Sequence, residues 1–315
     1  MSPYAAPAWL PGGHLQTVYP SLVPPARVPL ARERWDTPDG DFVDVDFAGD
    51  PAADRLLVLF HGLEGSSDSH YARALAAAAP AAGWRLAMPH FRGCSGELNR
   101  LPRAYHSGDS EEINWLLLKF FSLNKNLFTV GISLGGNALL KWLGERGDAA
   151  AAVVRRAAAV SAPLDLTEAG PALDRGANRL IYTRHFLATL IPKSLAKLDR
   201  FPGIFDGERV RAATSFLEFD DLVTARLHGY RDVQDYWQRA SSAPGLERIR
   251  VPTLVLNARN DPFLPEAALV AATRRVAPGV VLEQPATGGH VGFLAGPFPG
   301  AHTWLPQRLL AFLGS

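Results

Sequence analysis

The stretch Leu127-Phe128-Thr129-Val130-Gly131-Ile132-Ser133-Leu134-Gly135-Gly136-Asn137-Ala138-Leu139-Leu140-Lys141-Trp142-Leu143 decides the fold. Its first four residues form a short apolar run, which predicts a buried strand, and Gly136 to Leu143 carry apolar residues at helical spacing. Ser133 falls on the turn between them, inside a G-x-S-x-G pentapeptide. A strand that turns straight into a helix bends too sharply for side chains on both sides. Gly131 and Gly135, two positions either side of the serine, remove the Cβ atoms that would collide, and the bend lifts the hydroxyl above the sheet. The pentapeptide alone arises by chance in a chain with 28 glycines, so its weight comes from the strand–turn–helix setting.

Outward from Ser133 the chain keeps a strand–helix rhythm. Upstream, Arg32 to Asp36 and Phe42 to Phe47 flank the turn signal Pro38-Asp39-Gly40 and predict an antiparallel hairpin. Leu56 to Phe60 is a continuous apolar run, as in a strand covered on both faces, and ends at His61-Gly62. A helix from about Tyr71 to Pro80, a strand Arg85 to Met88, and a helix starting near Asp109, with Glu112 placed for a capping box, lead to the Ser133 strand. Downstream come strands at Ala157 to Val160, Thr253 to Asn257 and Val280 to Glu283. This order predicts an α/β domain with a mostly parallel sheet flanked by helices. Residues 163–243 break the rhythm: Leu180, Ile181 and Tyr182 with Phe186, Leu187, Leu190 and Ile191 have helical spacing and no strand accompanies them. The expected organisation is a core of 1–162 and 244–315 with a helical cap inserted at 163–243.

Composition narrows the class. The 315 residues are 47% hydrophobic and 20% charged, enough to bury a large core. A net charge of +1 with scattered basic residues leaves no electrostatic footprint for nucleic acid. Cys94 is the only cysteine, so there is no internal disulfide, and a reducing, cytoplasmic setting is expected. No run reaches the ~18 apolar residues of a membrane span, and the first residues lack a basic stretch followed by an apolar core. The expectation is a soluble protein with no targeting leader. There is no HExxH, CxxC or GxxxxGK[ST], so no metal and no nucleotide cofactor is called for. No repeat of fixed period is present.

A serine hydroxyl is a weak nucleophile until an imidazole takes its proton, and the imidazole needs a carboxylate behind it to hold its tautomer. Both partners are expected downstream, in loops after late strands. Asp261 follows the strand Thr253 to Asn257, and His290 follows the next, within Thr287-Gly288-Gly289-His290-Val291-Gly292-Phe293. Asp165 is the competing acid, with Asp220 and Asp221 in the cap as weaker rivals. Among nine histidines, His14, His70, His106, His185, His228 and His302 are assigned to structure. Acyl transfer also needs two donors for the developing oxyanion. The N–H of Leu134, at the positive end of the helix, is one; the N–H of Leu63, in His61-Gly62-Leu63-Glu64-Gly65, is the other, with His61 orienting that loop. Cap residues such as Phe186, Leu187 and Phe219 are expected to line a substrate pocket.

Together these residues resemble the α/β-hydrolase superfamily, and further segments are similar to its YheT-like branch, AB hydrolase family 4. They are Trp9 to Thr17 (WLPGGHLQT), His61 to Ser67, Phe91 to Glu97, Tyr105 to Gly108, Phe216 to Asp220 and the stretch from Thr224 to Tyr230. The resemblance implies a cofactor-independent serine hydrolase of carboxylic esters with Ser133, Asp261 and His290 as its triad. Relatives are associated with acylglycerols, medium-chain esters or phospholipids, and some with acyl transfer to alcohols. The expected substrate is a small-molecule acyl ester of short to medium chain or an acylglycerol. An acyltransferase using the same triad and a catalytically silent ligand-binding protein of this fold are the alternatives. An apolar cap rim would permit weak association with a membrane surface. Arg92, Cys94 and Asn99 have no role derivable from the sequence, and neither oligomeric state nor acyl-chain length is legible.

Overall fold

The structure is a computed structural model that describes residues 3–315; the first two residues of the expected core segment lie outside it. Its centre is an eight-stranded sheet in the order β1-β2-β4-β3-β5-β6-β7-β8. The strands are β1 (Ala31–Asp36), β2 (Phe42–Ala48), β3 (Arg55–Phe60), β4 (Trp84–Pro89), β5 (Leu127–Ile132), β6 (Arg156–Val160), β7 (Thr253–Leu256) and β8 (Val280–Glu283). Only the pairings of β2, with β1 and with β4, are antiparallel; every other neighbouring pair is parallel.

The central strands β3 to β7 are buried on both faces along nearly all their length because they are mostly apolar, and the period of two sends alternate residues to opposite cores. Leu56, Val58, Phe60, Ala157 and Ala159 join the core shared with the helices α3 (Ser110–Leu123) and α4 (Leu134–Arg146). Leu57, Leu59, Ala158 and Val160 join the opposite core, beneath α2 (His70–Ala81) and the C-terminal helix Trp304–Leu313. Fully burying a leucine contributes roughly 1.5–3 kcal/mol, so these two layers dominate the stability.

β1 and β2 form the expected antiparallel hairpin, and its second strand carries buried charge. All of β2 is buried, Asp44 and Asp46 included. Each carboxylate is matched in register by an arginine of β1: Arg34 grips Asp44 at 2.8 and 2.9 Å, and Arg32 grips Asp46 at 2.7 and 2.8 Å. Bidentate pairing offsets the cost of burying these charges. The capping box is only half formed. Asp109 accepts the N–H of Glu112 at 3.3 Å, but the Glu112 carboxylate turns to Arg92 at 2.6 Å.

Between β6 and β7 every described element is helical. The longest helix, Arg184–Arg200, is continuous with a π-helical turn at Arg179–Thr183, and a second π turn spans Asp220–Thr224. Phe216, Phe219, Leu222 and Val223 pack with Leu187 and Leu190 as a separate apolar cluster. Among the described residues no helix is long and apolar enough to cross a membrane.

A helix not expected from the sequence, α1 (Gly13–Leu22), precedes β1 and contains Pro20.

Candidate active site

Ser133 occupies the step from β5 into α4 with φ 53° and ψ −120°. A non-glycine residue held there stores roughly 1–3 kcal/mol of strain, which the surrounding packing must offset. The packing is tight enough to do so. A Cβ on Gly135 would lie 2.4 Å from the His61 carbonyl oxygen and 2.6 Å from that of Phe60, and one on Gly131 would lie 2.5 Å from the Gly135 oxygen. The glycines either side of the serine therefore let β5, α4 and the end of β3 approach backbone to backbone.

The structure brings Ser133, His290 and Asp261 together. The Ser133 Oγ and His290 Nε2 are 2.8 Å apart, and His290 Nδ1 is 2.9 Å from Asp261 Oδ2. An ionised Asp261 only accepts, so Nδ1 carries the proton and Nε2 is left free to accept the serine hydroxyl. The other Asp261 oxygen takes the N–H of Phe263 at 2.8 Å. Phe263 in turn stacks on the imidazole, with ring centroids 3.8 Å apart and planes 13° from parallel. The competing acids are engaged elsewhere. Asp165 caps the helix Leu166–Leu173 through Thr167, Asp220 accepts from Trp237 Nε1 and Thr224 Oγ1, and Asp221 accepts the N–H of Val233.

The loop after β3 is pinned so that one amide stays available. The Gly62 N–H donates to the Tyr71 hydroxyl at 2.9 Å, the Glu64 N–H to the Tyr105 hydroxyl at 2.8 Å, and the Gly65 N–H to the Gly62 oxygen at 2.9 Å. Among the described residues the N–H of Leu63 meets no acceptor. Leu134 is the first residue of α4, so its N–H has no partner within the helix. Both residues line the cavity that holds Ser133. A Cβ on Gly62 would come 3.1 Å from that of Ser133, which measures how closely this loop approaches the serine.

His61 holds the loop through both ring nitrogens. Its Nε2 accepts the N–H of Phe91 at 3.0 Å, so the proton sits on Nδ1, which donates to the Gly62 carbonyl at 2.7 Å. Burial holds the ring neutral by pushing its pKa down to about 3.

The cavity encloses about 1200 Å³, its open mouth included. Phe186, Leu190, Phe216, Phe219, Val223 and Phe263 give it an apolar wall. Leu187 does not belong to that wall. It sits on another face of its helix, buried in the cap cluster and bordering a separate outer groove with Leu180 and Ile191. At 3.6 residues per turn Phe186, Leu190 and Lys193 share one face and Leu187 is turned about 100° from it.

Three residues without a sequence-derived role are structural fasteners. The Arg92 guanidinium meets Glu112 at 2.6 Å, Asp39 at 2.8 Å and Asp41 at 3.2 Å; Asn99 accepts the Gly93 N–H at 2.5 Å and donates to Asp41 at 2.9 Å. Cys94 packs against the core, and burial pushes its thiol up to about 12. Sequence reading missed Gln16, Thr17 and Asn260, whose side chains hold the loops carrying Asp261 and His290; only the WLPGGHLQT segment hinted at the first two.

Known proteins resemble the chain in sequence and in fold. The α/β-hydrolase fold family matches residues 55–297. The Escherichia coli (strain K12) protein YheT, named as a candidate esterase, is 38% identical over 304 residues, covering 94% of this chain and 88% of its own length. Human phospholipase ABHD3 is 28% identical, covering 98% of this chain and 78% of its own. Among solved structures, an esterase from Exiguobacterium antarcticum superimposes with a TM-score of 0.55 at 17% identity, covering 90% of this chain and all of that one, which speaks to fold alone. The chain belongs to the α/β-hydrolase fold family, on the branch that includes YheT.

Proposed function

We propose that the chain is a serine carboxylic-ester hydrolase that works through an acyl-enzyme on Ser133. The observation that carries the reading is the line Asp261–His290–Ser133, with separations of 2.9 and 2.8 Å, opening on an apolar cavity beside two amides free to donate. The esterase and phospholipase names of its relatives support the same class.

In this reading His290 Nε2 takes the serine proton as Oγ attacks the ester carbonyl carbon. The negative charge that develops on the carbonyl oxygen is met by the N–H groups of Leu63 and Leu134; removing one such donor typically costs about 10²- to 10³-fold in rate. The imidazolium, steadied by Asp261, gives its proton to the departing alkoxide and the alcohol leaves. A water then loses a proton to His290 and attacks the acyl-serine; the imidazolium passes that proton to the departing Ser133 Oγ, releasing the carboxylic acid and restoring the neutral imidazole and free Ser133. The aromatic and aliphatic wall suits an acyl chain, and the substrate class is a short- to medium-chain acyl ester or an acylglycerol. Leu180, Ile181 and Leu217 stand exposed on the cap, apolar side chains suited to weak contact with a lipid surface.

The test is hydrolysis of p-nitrophenyl esters from acetate to palmitate by the parent and by Ser133→Ala. The reading expects activity that peaks at short or medium chains and disappears in the variant. Retained activity in Ser133→Ala, or none in the parent, would count against it. Product analysis with a competing alcohol separates hydrolysis from acyl transfer.

A further inference from the structure

His290 and Asp261 stand on loops with no regular secondary structure, so something else must fix them to the tolerance that proton transfer requires. That support comes from α1, far away in sequence and outside the span matched by the hydrolase family. Gln16 is almost wholly buried, and both the nitrogen and the oxygen of its side-chain amide are engaged. Nε2 donates to the Leu10 carbonyl at 2.8 Å, while Oε1 accepts from Asn260 Nδ2 at 2.9 Å and from the Gly288 N–H at 2.8 Å. Asn260, the neighbour of Asp261, accepts the Gly289 N–H at 2.9 Å. Thr17 Oγ1 accepts the His290 N–H itself at 2.9 Å and donates to the Gly13 carbonyl at 2.7 Å.

Three consecutive amides, those of Gly288, Gly289 and His290, therefore end on Gln16, Asn260 and Thr17. The next, that of Val291, ends on Ser161 Oγ at 3.0 Å, and His70 Nε2 donates to the Val291 carbonyl at 3.1 Å. Val291 is held at φ 62°, a costly conformation for a β-branched residue, so the loop would relax if these bonds were removed. The helix and the loops touch backbone to backbone. A Cβ on Gly13 would fall 2.0 Å from the Asn260 oxygen, and one on Gly292 would fall 1.6 Å from the Gln16 oxygen. At these two glycines no side chain lies between helix and loop to take up a shift.

We propose that Gln16 and Thr17, with Asn260 as their link, are positioning residues that set the Asp261–His290 pair against Ser133. The helix is thus part of the reaction geometry. This rests on the reading of Ser133, Asp261 and His290 as the reacting groups, and its test keeps the two separable. None of Gln16, Thr17 and Asn260 borders the cavity, so the loss should fall on kcat and spare KM.

The experiment compares Thr17→Val, which keeps shape and removes the hydroxyl, with Thr17→Ser, which keeps the hydroxyl. Asn260→Ala, at a half-buried loop position, is the second arm should Thr17→Val fold poorly. With p-nitrophenyl butyrate, Thr17→Val and Asn260→Ala should lower kcat by roughly 10- to 100-fold, since a misplacement near 1 Å can cost about 10²-fold. Their KM should stay within about twofold, phosphonate labelling of Ser133 should slow in step, and Thr17→Ser should recover most of the parental kcat. Folded Thr17→Val or Asn260→Ala with parental kcat would overturn the proposal, as would Thr17→Ser failing as badly as Thr17→Val. Activity surviving in Ser133→Ala would instead remove the reading beneath it.

Discussion

Replacing Asp261 by asparagine tests the proposed charge arrangement with almost no change of shape. Asp261 is 5% exposed, with one oxygen on the Phe263 N–H at 2.8 Å and the other 2.9 Å from His290 Nδ1. In Asp261→Asn the Phe263 N–H still requires an oxygen, so the amide nitrogen must turn to His290. Two N–H groups cannot face each other, and the imidazole answers by moving its proton from Nδ1 to Nε2. Nε2 then presents a hydrogen to Ser133 Oγ and cannot take one. The wrong tautomer in a Ser-His-Asp arrangement costs about 10⁴-fold in kcat, which at 1.36 kcal/mol per factor of ten is about 5.4 kcal/mol of barrier. The cavity wall is untouched, so KM should move less than about threefold. The assay is steady-state hydrolysis of p-nitrophenyl butyrate, with near-UV circular dichroism to confirm the fold and Asp165→Asn as a control. A loss smaller than tenfold in Asp261→Asn, or a loss of this size in Asp165→Asn, would refute the assignment.

Three other outcomes follow from the structure. In Gly135→Ala helix propensity alone would favour alanine by about 1 kcal/mol, but a Cβ at 2.4 Å from the His61 oxygen must push back the loop carrying Leu63. Overpacking at roughly 1–3 kcal/mol wins, so thermal melting should fall and kcat/KM should drop about 100-fold; a variant with raised Tm and parental activity would contradict this. Burial raises Asp220 to about 6, so the unfolded chain releases its proton from about 3.8 upward while the native protein holds it until about 6. The native state consequently loses stability as pH climbs through that window. Asp220→Asn keeps an acceptor for Trp237 and removes this loss. Its urea-unfolding advantage over the parent should grow between pH 4 and pH 6 and then level off, with a ceiling of about 3 kcal/mol at 1.36 kcal/mol per pH unit, lower where cavity water reaches the carboxyl; parallel stability curves would count against it. Val223→Phe adds volume to the apolar wall, and the preferred ester should become shorter while acetate hydrolysis stays within about threefold; an unchanged profile would separate this wall from the acyl chain.

The parts of the fold legible in the sequence are those set by local periodicity and by backbone contacts that forbid side chains. The apolar runs of β3, β5 and β7 are buried on both faces and could be read as strands, and Gly131 and Gly135 marked the turn at Ser133 because only glycine fits there. Asp261 and His290 were legible through their place after late strands. The illegible parts depend on partners distant in the chain. Helix α1 has a proline inside it and two buried residues, Gln16 and Pro20, so no apolar stripe announces it; long-range side-chain bonds hold it in place. Glu112 fits a capping box locally, yet the Arg92 guanidinium lies within 2.6 Å and offers a buried carboxylate more than an N-cap amide can. Leu187 and Phe186 are neighbours in sequence, and only the rotation of their helix decides which of them faces the cavity.

The central claim is an acyl-enzyme on Ser133, and the most direct measurement is mass spectrometry of the protein quenched with acid during turnover of p-nitrophenyl butyrate. The account predicts a butyryl adduct on the peptide bearing Ser133, absent from Ser133→Ala and accumulating when deacylation is slowed; turnover with no adduct on that peptide, or an adduct on another residue that Ser133→Ala retains, would contradict it.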